Sequence, residues 1–130
     1  MELKEAVAKF KDNNRLMRAY NHAMGVMYYD IETAAPKNAI GGFSDTMAAL
    51  SEITYKLSVN EENFELLDFL SAHADELDEI TRREVEEAQK NLRLLRNIPM
   101  DEFVEYQRIQ SEASAVWHEA KVKSDYAMFE

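Results

Sequence analysis

The chain has 130 residues, a length that suits one domain or a piece of a larger one. Hydrophobic residues make up 46% and charged residues 31%, which excludes a disordered chain, and no run approaches the ~20 apolar residues of a membrane span. The net charge of −10 repels phosphate and argues against nucleic-acid binding; the absence of cysteine excludes disulfides, thiolate metal sites and a cysteine nucleophile.

The first predicted element is a helix over residues 2–31. Leu3, Phe10, Met17, Met24 and Ile31 recur every seven residues, with Ala6, Tyr20 and Met27 on the companion stripe and Asn13 interrupting it. Such a helix is about 45 Å long at 1.5 Å per residue. A compact globule of this length is roughly 36 Å across. The expectation is an elongated bundle, or a part of something larger. The N-terminus alternates charged and apolar residues and has no signal-peptide core, so a cytoplasmic location is expected.

The helical pattern stops in YYDIETAAPKNAIGG, where Pro36, Gly41 and Gly42 cluster. This predicts a helix–helix corner near residues 32–43. Ala35 precedes Pro36 and is biased out of the helical region. Asp30 and Glu32 lie where a helix C-terminus disfavours negative charge, so a carboxylate or Thr33 is expected to bond backbone N–H groups there. A polar corner is favoured over a metal or catalytic role for these residues.

A second helix is predicted from Ser44 to Leu57, with Phe43, Met47, Leu50, Ile53 and Leu57 on one face. Ser58 and Glu61 read as a capping box opening a short third helix. A fourth runs from about Asp78 to Arg96, striped by Ile80, Val85, Ala88, Leu92 and Leu95. A second break falls near residues 97–99, and Pro99 suits the first turn of a fifth helix. Phe103, Tyr106, Ala113, Trp117 and Ala120 line that helix, with Trp117 as a packing anchor. The ending SDYAMFE carries no C-terminal Gly or trailing Pro, which suits a boundary not set by the fold. The fold class is all-α, about five helices, two or more of them long.

No catalytic constellation is complete. His118-Glu119 opens HEAKV, which resembles HExxH, but position 122 is Val122 and the second metal-binding histidine is missing. His73 and Glu76 are only two ligands at helical spacing, and His22 has no metal-spaced partner. Ala19, Leu70 and Ala115 stand three residues before the histidines, so the Glu-x-x-His pattern of di-iron bundles is absent too. The residues nominate no catalytic or metal-binding side chain.

Tyr29-Asp30-Ile31-Glu32-Thr33-Ala34-Ala35-Pro36 resembles the Trp-Asp-x-x-Thr-x-x-Pro pattern near the start of the thermostable (Taq-type) zinc metallocarboxypeptidases, with Tyr in place of Trp. The segment after it resembles that family's second and third helices. Trp117, Ala120, Lys121, Asp125, Tyr126 and Phe129 match its Trp-x-x-Ala-(Lys/Arg)-x-x-x-Asp-(Phe/Tyr)-x-x-Phe pattern. The resemblance spans residues 1–130 and implies the N-terminal helical region of a larger catalytic domain. It implies a parent that removes C-terminal residues from peptides with zinc or another divalent metal, whose ligands lie downstream of the region matched. This chain would then hold no cofactor and be inactive alone. Its partner would be the remainder of the peptidase chain, with a homodimer as a further possibility, and peptide substrate would bind only the full-length parent. The alternative is a free-standing acidic helical bundle serving as a protein-interaction module.

Overall fold

The computed structural model describes all of residues 1–130. It is all-α: α1 (Leu3–Thr33), α2 (Ile40–Ser58), α3 (Glu61–Ala72), α4 (Glu79–Leu95), α5 (Met100–Lys123) and the one-turn α6 (Tyr126–Phe129), with 3-10 turns at Lys37–Ala39 and Ala74–Glu76. The chain divides into two compact units.

The first unit comprises residues 1–21 and 53–99. Its core is Ala6 and Phe10 of α1, Leu66, Leu67 and Leu70 of α3 and Val85 of α4. Leu3, Val7, Leu77, Ala88 and Leu92 pack against that core, so the start of the α1 heptad stripe, Leu3 and Phe10, and most of the α4 stripe face inward as the periodicity requires. Ile80 does not: it is 74% exposed, and Thr81 is buried instead. Asp78 is the N-cap of α4, accepting from the Thr81 backbone N–H at 3.0 Å and the Thr81 hydroxyl at 2.6 Å. That cap turns Thr81 inward and Ile80 out. The capping box expected at Ser58 also moves. Ser58 is the last residue of α2, and Asn60 is the N-cap of α3. Its amide oxygen accepts from Asn63 N–H at 2.8 Å while its Nδ2 donates to the Lys56 carbonyl at 2.8 Å, so one side chain closes two helix ends.

The second unit comprises residues 22–52 and 100–130. Phe43, Ser44, Ala48 and Ser51 of α2 are buried here, with Ser111 and Ala120 of α5. The buried face of α2 is thus rotated from the predicted one, and Ile53 is exposed. The corner is shorter than residues 32–43. Helix α1 runs to Thr33, Pro36 is the extended N-cap of the 3-10 turn, and α2 starts at Ile40 with Gly41 and Gly42 inside it. Neither glycine has positive φ.

Helix α5 departs most from expectation. Of its predicted face only Ala120 is buried; Tyr106, Ala113 and Trp117 are exposed, and Phe103 is half-buried. The inward face carries the smaller Ser111 and Ala115. The C-terminal residues do contain a helix stop. Ser124 adopts φ 52, its N–H bonds Lys121 O at 3.3 Å, and Asp125 N–H bonds Ala120 O at 2.9 Å, the pattern of a Schellman motif. No helix is long and apolar enough to cross a membrane.

Candidate functional site

A groove of about 620 Å³ opens in the second unit. One wall is the end of α1 and the corner, from Tyr28 to Lys37; the floor includes Ile40 and Phe43; the other wall is α5 from Ser111 to Lys123. Aromatic packing sets its base, with the Tyr28 and Phe43 rings 6.1 Å apart. Tyr28 Oη lies 3.0 Å from Ser114 Oγ, tying α1 to α5, and Ser114 Oγ donates to Glu32 at 3.4 Å.

The corner residues are occupied with ending a helix. Thr33 Oγ1 donates to the Tyr29 carbonyl at 2.6 Å. The Asp30 carbonyl accepts from both Ala34 and Ala35 N–H at 2.9 Å. Thr33 thus donates to the last turn of α1, where a bond to N–H groups was expected, and Glu32 accepts from a side chain of another helix. Tyr29 is 72% exposed. The second set of signature residues shares one helix end. The Trp117 and Phe129 ring centroids are 6.3 Å apart, and Lys121 Nζ sits 5.1 Å from the Trp117 centroid, a cation–π contact. Asp125 caps α6, accepting from Met128 N–H at 3.3 Å. Trp117 is half-exposed and packs on Phe129 and Lys121, bracing the α5–α6 turn from its surface.

One ion pair sits on the groove rim. Lys123 donates to Glu119, which holds the Glu119 carboxyl below its ordinary value, with smaller help from the charges of Lys123 and Lys37. The same bond raises Lys123. His118 lines the groove but is exposed, and His22 is exposed elsewhere. His73 caps α3, its Nδ1 2.8 Å from Phe69 O. No three His, Asp or Glu side chains are placed to hold a metal ion, so these residues do not fit a metal. The groove can bind apolar groups beside the Lys123–Glu119 pair. Sequence reasoning missed it because Tyr28, Phe43, Ser44 and Val122 meet only through tertiary packing, for which no local pattern exists.

Residues 9–130 match the family model of the carboxypeptidase Taq (M32) metallopeptidases. The chain is similar to carboxypeptidase 1 of Bacillus subtilis, 33% identical over 129 residues that make up 99% of this chain and 26% of that protein. It is similar to thermostable carboxypeptidase 1 of Pyrococcus furiosus, 29% identical over 98% of this chain and 25% of that one. The fold superposes on the crystal structure of BsuCP with a TM-score of 0.91 and 32% identity, covering 96% of this chain and 25% of that structure. The chain thus spans about a quarter of the length of the relatives it matches.

Proposed function

The chain belongs to the carboxypeptidase Taq (M32) metallopeptidase family, and we propose that it is the N-terminal helical portion of such an enzyme, supporting a catalytic centre built elsewhere in the parent. The observation that carries this reading is the similarity to carboxypeptidases along nearly all of this chain but only about a quarter of theirs. The parent releases C-terminal residues from peptides, with a divalent metal, zinc first among candidates, supplied by residues outside these 130. The parent works in the cytoplasm, a placement supported by the cysteine-free composition. The family match over residues 9–130 favours this reading over a free-standing interaction module.

The test is direct. The 130-residue protein, dialysed against zinc and then against buffer, is expected to retain far less than one equivalent of metal and to release no amino acid from an N-terminally blocked peptide with a free C-terminal carboxylate. One equivalent of tightly held zinc, or turnover, would overturn the reading.

A further inference from the structure

We infer that the groove between the corner and the second half of α5 is the seat of an apolar segment from the rest of the peptidase chain, an inference that rests on the function proposed above. Val122 follows Ser111 by eleven residues, close to three turns at 3.6 residues per turn, so the two side chains leave the same side of α5. Ser111 is 7% exposed, whereas Val122 is 73% exposed. The face of α5 that is closed over at Ser111 is therefore open at Val122. Ile31 and Ile40, both partly exposed, continue that apolar surface over the buried Phe43. An apolar groove of this size left in water forgoes the gain from burial that folding otherwise collects.

A second feature points the same way. Ser44 lines the groove, is 1% exposed, and its Oγ has no hydrogen-bond partner. Buried hydroxyls are almost always partnered, so this one marks a part of the groove wall whose packing the 130 residues leave incomplete. The relatives supply the length: three-quarters of their chains lies outside the matched region. A second copy of this chain fits less well. In an isologous contact the same patch meets itself, and two concave grooves facing each other leave both unfilled.

The experiment compares the 130-residue protein with the product of the full reading frame. His118, exposed and on the groove, is modified with diethyl pyrocarbonate, and the rate is read by peptide mass spectrometry. The expected result is His118 at least about ten-fold slower in the full chain, as for a site reached only by local opening. Val122→Glu serves as a second measurement. At 73% exposure it is expected to leave the melt of the 130-residue protein unchanged and to lower the melting temperature of the full chain. Equal His118 rates in the two proteins together with a neutral Val122→Glu would overturn the inference while leaving the proposed function standing. So would protection that appears in the full chain only when a peptide is added, or in the 130-residue protein only as its concentration rises; these would assign the groove to substrate or to a second copy. A reading frame that stops at Glu130 would overturn both.

Discussion

Tyr28 and Ser114 lie 86 residues apart in sequence, and their hydroxyls meet at 3.0 Å. This bond joins the last turns of α1 to the middle of α5, one wall of the groove to the other. Tyr28 opens the corner stretch and Ser114 lies in a stretch marked only by helical spacing, and nothing local pairs the two. Removing either hydroxyl, as in Tyr28→Phe or Ser114→Ala, is expected to cost about 0.5–1 kcal/mol, the lower half of the range for a hydrogen bond because the pair is partly exposed. A double-mutant cycle by urea denaturation checks it: the two losses should not add.

The core of the first unit predicts a larger effect. Leu66 and Leu70 are completely buried against Ala6, Phe10 and Val85. Leu66→Ala removes buried methyl groups and leaves a cavity, and a loss of about 2–5 kcal/mol is expected. In a marginally stable chain that is enough to leave a large unfolded fraction at room temperature. The loss of helical circular dichroism at 25 °C measures it.

Two backbone positions carry residues that fit their conformations poorly. Gly42 lies inside α2 with ordinary helical φ, and a Cβ built on it meets nothing within 4 Å. Gly42→Ala should stabilise by about 0.8–1 kcal/mol through helix propensity. Ser124 holds φ 52 in the Schellman motif, where glycine is the ordinary occupant. Ser124→Gly should stabilise by about 1 kcal/mol, the cost of the left-handed region for a residue with a Cβ. Thermal melts of the 130-residue protein report both.

Acid should weaken the fold through identified carboxylates. Asp78 titrates below its ordinary value because the Thr81 hydroxyl and then the Thr81 N–H donate to it. Glu119 does so because Lys123 donates to it. A carboxyl depressed in the folded state adds stability above its unfolded pKa and loses it as pH falls through the folded one. Stability is therefore expected to fall below about pH 4. Asp78→Asn keeps a capping oxygen but removes the charge, and should flatten this acid limb in melts taken from pH 6 to pH 2. Lys123, raised by the same bond to Glu119, works in the opposite direction. Its share is present below its unfolded pKa and is lost as pH rises through the folded one.

Helix positions were legible because they follow from local spacing and punctuation. The stripe faces inward at Leu3 and Phe10 as its period requires, and Pro36 and Pro99 stand outside the α-helices they separate. The misses share a cause: local signals do not say what lies across from a helix face. At α3, Ser58 and Asn60 both suit an N-cap. The structure selects Asn60 because its amide also satisfies carbonyls at the end of α2, which a serine hydroxyl in its own helix does not. At α4, the Asp78 cap fixed which of Ile80 and Thr81 turned inward. At α5 both sides carry apolar residues, and Tyr106, Ile109 and Trp117 are exposed because nothing in these 130 residues covers them. The groove was illegible for the same reason, since its walls come from segments far apart in sequence.

The most direct test of the central claim is to read the source gene past the codon for Glu130. The account predicts an open frame continuing for roughly three times this length again, in keeping with the quarter-length match to the relatives, and containing an HExxH. A stop codon immediately after Glu130 would contradict it, leaving a 130-residue helical protein with no metal-binding machinery to support.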